Sequence, residues 1–126
     1  MHRSRLTSIV IDCPEDLYYL GRDFWSNAFG RATVTRDDRF SSLKGRIGEQ
    51  GGIFVGFQKV PPQEIGIHVD IETDNVDAEV ARLEGLGAKV KERIRRHVIM
   101  ESPSGHAFCV IPVKRTDFPD GATEWP

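Results

Sequence analysis

Residues 65–90 read IGIHVDIETDNVDAEVARLEGLGAKV, a strand, a helix and the start of a second strand in that order. The first eight, IGIHVDIE, are rich in β-branched side chains and alternate as a half-buried strand does. Thr73, Asp74 and Asn75 follow, all residue types that cap a helix N-terminus. Val76, Val80, Leu83 and Leu86 then recur at steps of 4, 3 and 3, one apolar stripe of an amphipathic helix. Gly87 stands where a glycine ends such a helix. Inside the strand, His68 interrupts an apolar run. Three roles are open to it: metal ligand, acid–base group or core residue.

Downstream, AKVKERI (88–94) resumes an extended pattern, and HVIMESPSGHAFCVIP (97–112) reads as two strands joined by a Ser-Pro-Ser-Gly turn. Upstream the same order occurs once more. LTSIVIDC (6–13) is strand-like, and Pro14 is placed to open a helix. Leu17, Leu20, Phe24 and Ala28 step by 3, 4 and 4 along one face of it, and it ends at Phe29-Gly30 as its counterpart ends at Leu86-Gly87. RATVTRDD, FSSLKGRI and GGIFVGFQKV supply three more extended segments, and PPQE (61–64) separates the halves. Gly30 to Gly87 is 57 residues, Ser8 to His68 is 60, and Phe54-Val55 to Phe108-Cys109 is 54. The order holds while loop lengths drift, as in an internal duplication of a βαβββ unit.

One such unit leaves much of its sheet uncovered, whereas two side by side curl into a cup with a pocket inside. The expected fold is therefore α+β: two tandem βαβββ modules forming a cup-shaped, mostly antiparallel eight-stranded sheet with helices outside. Module 1 spans about 5–60, module 2 about 64–113, and a tail covers 114–126, all in one domain, 1–126. A chain of 126 residues is long enough for one independently folding core. Its net charge of −2 offers no electrostatic attraction for nucleic acid or an anionic membrane. No apolar run approaches the roughly 20 residues that span a bilayer. The opening MHRSRLTSIV lacks the apolar segment of a secretion signal. Cys13 and Cys109 lie far apart, outside any CxxC or zinc-type spacing, so free thiols and a cytoplasmic location are expected.

The paired modules, the Phe24-Trp25 late in the first helix, the strand IHVDI, the helix DAEVARLEGLGAKV and the ending ESPSGHAFCVIP together resemble a glyoxalase-like domain. That group lies in the vicinal oxygen chelate superfamily, with glyoxalase I, extradiol dioxygenases, epimerases and bleomycin- or fosfomycin-resistance proteins. The resemblance covers residues 6–112 and implies the fold but no single reaction. Catalytic members of the superfamily hold a divalent metal at positions that fall here on Ser8, Val55, His68 and Cys109. Only His68 keeps the usual ligand type. Ser8 replaces a histidine, Val55 is inert, and Cys109 replaces a glutamate. A catalytic zinc takes about three protein ligands. One imidazole and one thiol fall short, with a third donor to be sought in Glu101, His97 or a partner chain. The expectation is no metal and no other cofactor.

His68 is then expected to contact a ligand, bonded to a neighbour such as Ser8. It is also the candidate catalytic group, because imidazole titrates near neutral pH. Cys109 reads as a small apolar lining residue, with a nucleophile as the alternative. His97 shares a strand face with Ile99 and Glu101, and the resemblance, in which this position often carries a tryptophan, implies that it borders the pocket. His106 belongs to the turn. Lys89, Lys91, Arg93 and Arg95 fall on one side of an alternating strand, read as a solvated edge that discourages aggregation. The tail carries Phe118 and Trp125, which are expected to pack on this domain or on a second subunit. Proteins of this kind usually form two-fold dimers, so a homodimer is expected. The functional expectation is binding of a small organic molecule in the cup, by a metal-independent lyase- or isomerase-type enzyme. The alternatives are a non-catalytic, resistance-type sequestering protein and a metal-dependent lyase or dioxygenase with an atypical ligand set.

Overall fold

The computed structural model describes residues 1–126. Helix α2 (Val76–Gly85) forms where the caps and the apolar stripe predict. Asn75 caps it by accepting the Ala78 N–H at 3.0 Å. At the other end Gly87, at φ 102°, donates to Glu84 O (2.9 Å), and Ala88 donates to Leu83 O (3.1 Å). This pair of bonds is the Schellman ending that only a left-handed residue permits easily. Helix α1 (Tyr18–Phe29) ends the same way at Gly30, φ 66°.

The strands are β1 (His2–Pro14), β2 (Thr33–Thr35), β3 (Phe40–Leu43), β4 (Phe54–Val60), β5 (Gly66–Thr73), β6 (Lys89–Ile94), β7 (His97–Glu101), β8 (Ala107–Pro112) and β9 (Thr123–Trp125). They lie in the order β2-β3-β4-β1-β5-β8-β7-β6, with β9 added beside β1. Each module contributes the same four-strand order, and the two meet antiparallel at β1–β5. Only β1–β4 and β5–β8 are parallel, so the sheet is mixed but mostly antiparallel. Both helices cover one face, which leaves the concave face open, as the duplication implies. No helix is long and apolar enough to cross a membrane.

Four details differ from the sequence expectation. The sheet has nine strands rather than eight, because Thr123–Trp125 of the tail pairs with His2–Ser4. That pairing also lengthens β1 beyond residues 6–13. Helix α1 begins after a 3-10 turn at Glu15–Leu17 rather than at Pro14, which rotates its inward face. Tyr18 and Trp25 point to the core with Cys13, Leu43 and Phe57, and Gly21 lets the helix approach the Cys13 Sγ, which would lie 3.1 Å from an added Cβ. The expected stripe instead faces outward, with Leu20 and Phe24 71% and 61% exposed. Finally, a bulge between Val90 and Glu92 breaks the alternation of β6, and Arg95 sits in the β6–β7 turn at φ 57°. The basic row is not on one side, although β6 is a sheet edge.

Under α2, Val80, Leu83, Val98, Met100, Phe108 and Val110 form the larger core. Glu79 of the same helix is fully buried yet satisfied, bonded by His2 Nε2 (2.8 Å), Arg82 Nε (2.8 Å) and Arg82 Nη2 (3.0 Å). Trp125 of β9 lies on the Arg82 guanidinium, 3.8 Å from ring centroid to Cζ, so the tail packs on its own domain here. Burial alone would raise the Glu79 pKa, but these bonds lower it from 4.5 to about 2. A depressed carboxyl stabilises the fold above its unfolded pKa, and that contribution is lost as pH falls from about 4.5 towards 2. Glu79→Gln is expected to cost roughly 3 kcal/mol at neutral pH. It should also flatten the acid limb of a urea-denaturation series between pH 5 and 2.

Candidate functional site

The β1–β5 pairing decides which side chains meet on the concave face. Ser8 pairs with Asp70, and Val10 pairs with His68. Asp12 sits two residues beyond Val10, on the same face and diagonal to His68. On β8, Cys109 pairs with Asp70. Ser8, Val10, His68, Asp70 and Cys109 form the floor of a cavity of about 860 Å³, with Asp12 behind His68, His97 of β7 on one side and Phe54 and Gln58 of β4 on the other.

On that floor the His68 imidazole lies between two carboxylates. Its Nδ1 is 2.5 Å from Asp12 Oδ2, and its Nε2 is 3.4 Å from Asp70 Oδ1. Ser8 Oγ donates to the other oxygen of Asp70 at 3.0 Å. Asp12 is 8% exposed, and its Oδ1 is buried without a hydrogen-bond partner. Burial alone would discharge the imidazole, but the bonds to Asp12 and Asp70 and their charges outweigh it and raise the His68 pKa from 6.5 to about 9. His68 is therefore an imidazolium at neutral pH, with protons on both nitrogens. The expected near-neutral titration is corrected by its two flanking carboxylates. Burial, and then the Asp70 charge, push the Cys109 thiol up to about 12. At neutral pH it is a thiol, a poor nucleophile.

One end of the cavity is closed by the segment after β8. Glu72, fully buried, accepts from Arg5 Nε (2.9 Å) and from the backbone N–H of Lys114 (2.9 Å) and Arg115 (3.0 Å). Asp117 gathers Arg5 Nη2 (2.7 Å), Arg115 Nη2 (2.7 Å) and Arg46. Burial alone would raise the Asp117 pKa, but Arg115 and Arg5 hold it well below the usual carboxylate range. Lys114 and Arg115 consequently line the cavity.

Of the residues singled out in the sequence, Ser8, His68, His97 and Cys109 line this one cavity. Val55 does not. It packs towards α1 beside Ile11 and Trp25, because the concave positions of β4 are Phe54 and Gln58, an odd number of residues away and so on the other face of the alternation. Ser8 bonds Asp70 rather than His68. Glu101, a third donor considered above, instead lies 3.6 Å from Lys91. Sequence reasoning missed Asp12 and Asp70, although alternation carries the signal: Asp70 is two residues from His68 on one strand, and Asp12 four from Ser8 on the other. Asp70 also supplies the third donor that a metal site here would need. A nitrogen of His68, an oxygen of Asp70 and the Cys109 Sγ all lie within 4.8 Å of one another. Asp12 at Nδ1 would hold the imidazole with Nε2 facing the other two donors. Three such donors fit a metal site with an open position.

Residues 8–111 match the family described as a glyoxalase-like domain. No curated protein sequence matches this chain. Among solved structures, it resembles one titled NAD-dependent benzaldehyde dehydrogenase from Legionella pneumophila at TM-score 0.63 and 10% identity, over 85% of this chain and 98% of the other. A hypothetical protein from Bacillus halodurans C-125 is similar at TM-score 0.62 and 14% identity, over 90% and 96%. A variant of homoprotocatechuate 2,3-dioxygenase from B. fuscum, in complex with HPCA, is similar at TM-score 0.54 and 14% identity. That match covers 90% of this chain but 34% of the dioxygenase. At these identities the likeness is one of fold.

A histidine whose pKa is raised on folding stabilises the protein below its unfolded pKa, and the contribution is lost as pH rises through the folded value. Metal-free protein should lose up to roughly 3 kcal/mol from this source between pH 6.5 and 9. His68→Gln should remove that alkaline loss in a denaturation series. An unchanged slope would mean that the carboxylates do not hold the imidazolium.

Proposed function

Because the chain belongs to the glyoxalase-like domain family, we propose that its cup binds a small organic molecule and moves a proton on it without a resident metal. The observation that carries this reading is the Asp12–His68–Asp70 cluster at the base of an 860 Å³ cavity, a volume suited to a small ligand. In the proposed mechanism His68, protonated on both nitrogens, donates a hydrogen bond through Nε2 to an oxygen of the ligand and stabilises negative charge developing there. Asp12 orients the ring from Nδ1. Asp70, steadied by Ser8, is the proton acceptor beside it. Lyase and isomerase reactions of carbonyl compounds need this combination of an acid and a base on one face. If the molecule is bound but not turned over, the same cup acts as a sequestering protein.

The cluster of His68, Asp70 and Cys109 favours a second reading, in which these three residues hold a divalent cation. Such an ion would polarise a ligand oxygen as a Lewis acid. Binding it would require His68 and Cys109 to release protons. The homodimer is part of the proposal too, supported by the apolar surface that Leu17 of the 3-10 turn and Leu20 and Phe24 of α1 leave exposed.

Elemental analysis of protein purified without chelator and reloaded with Zn²⁺, Ni²⁺, Mn²⁺ or Fe²⁺ separates the readings. The first predicts substoichiometric metal that is indifferent to His68→Ala. About one ion per chain, lost in both His68→Ala and Asp70→Asn, would replace it with the second. Under the first reading, Asp70→Asn should abolish turnover of a ligand found by thermal-shift screening while changing its affinity by less than about tenfold.

A further inference from the structure

The end wall of the cavity is built by residues 114–117, beyond the span shared with the family, which stops at residue 111. After β8 the chain crosses the concave face, held by Glu72 through the N–H groups of Lys114 and Arg115. Around this crossing stand the guanidiniums of Arg5, Arg46 and Arg115 and the carboxylates of Glu72 and Asp117. Lys114 adds a fourth cation and has no carboxylate within 4.0 Å. Four cations against two carboxylates leave two positive charges uncompensated at this end. Their field reaches His97, whose pKa is lowered by burial and then by Lys114. On the opposite side Arg36, also without a carboxylate partner, donates to Ser42 Oγ (3.0 Å). Phe54 lies between the cations, 5.7 Å from Arg36 and 5.0 Å from Arg115.

The acidic groups that line the same cavity limit the charge of its occupant. Asp37 and Asp38 stand at the exposed rim between Arg36 and Arg39, which offset them, and Asp70 is on the floor. One negative charge suits the end wall, whereas a second would lie nearer these carboxylates. Phe40 and Phe54 offer accessible apolar surface in the cavity, with Val10 and Ile111 buried behind its lining.

Building on the reading of the cup as a small-molecule site, we infer that its occupant is a small organic monocarboxylate whose carboxylate is held by Lys114 at the end wall. The apolar body of the molecule lies against Phe40 and Phe54, and its far end reaches His68. Lys114 is then a specificity-determining residue, contributed by a segment outside both duplicated modules. A charge-assisted hydrogen bond from Lys114, whose side chain is exposed, discriminates an acid from its neutral isostere by up to about tenfold.

The test is ligand-detected NMR and calorimetric titration with matched pairs of small carboxylic acids and their primary amides, led by phenylacetate and phenylacetamide, with phenyl phosphate as the dianionic probe. Acids should bind about tenfold more tightly than amides, and phenyl phosphate more weakly than the acids. Lys114→Met, an exposed change that breaks no ion pair, should abolish the difference between acid and amide, while Lys89→Met on the β6 edge should preserve it. Amides binding as well as acids, phenyl phosphate binding most tightly, or a preference that survives Lys114→Met would overturn the inference and leave the cup as a site for other molecules. Failure of every acid, amide and phosphate to bind wild-type protein would overturn the inference and the small-molecule reading together.

Discussion

The register of the β1–β5 seam is the constraint on which the site depends. It is the only direct strand pairing between the two modules, and it sets which side chains of each enter the cup. Two strands slipped by one residue would turn His68 and Asp70 to the helical side and bring Val69 and Ile71 inward. Those two valine and isoleucine side chains pack against the core beneath α2, so the hydrophobic effect resists the slip. A bulge between Leu6 and Ser8 then does something a regular strand cannot. It places Arg5 and Ser8, three residues apart, on the face shared by Glu72 and Asp70. The Arg5–Glu72 anchor and the His68 cluster therefore lie along one side of the same seam.

Burying charge at a seam is costly unless each group is paired. Glu72 meets this condition with a guanidinium and two backbone N–H groups, and those N–H groups belong to the segment that closes the cup. The floor meets it differently. Two carboxylates share one imidazolium, and one oxygen of Asp12 stays unpaired. A satisfied structural charge and an incompletely satisfied floor thus sit a few residues apart. The first rigidifies the wall. The second holds the ring of His68 in place where it lines the cavity.

Much of this architecture is legible in the sequence. Asn75, the Val76–Leu86 stripe and Gly87 define one helix by local physics, and the duplication carries that reading to the other half. Legibility fails where local periodicity is ambiguous. Helix α1 has two apolar stripes, and a single 3-10 turn decides which one faces the sheet. Val55 is placed inward only by the ligand positions that the resemblance implies, and a carry-over displaced by one residue is enough to invert a face. The site was half legible: Ser8, His68, His97 and Cys109 share one cavity, but the partners of His68 lie across a strand pair and along its own strand. Finding Asp12 requires the register, which no single strand reveals. The cationic wall was hidden for a longer-range reason, since Lys114 reaches the cup only because Glu72, 42 residues away, captures its backbone.

The central claim is that Asp12 and Asp70 hold His68 as a doubly protonated ring on the floor of the cup. Nitrogen-15 NMR of imidazole-labelled, metal-free protein at pH 7.5 tests it most directly. The account predicts that both ring nitrogens of His68 carry protons, and that Asp12→Asn and Asp70→Asn each shift the ring towards the neutral form. A neutral single tautomer in the wild-type protein, unaffected by either substitution, would contradict it.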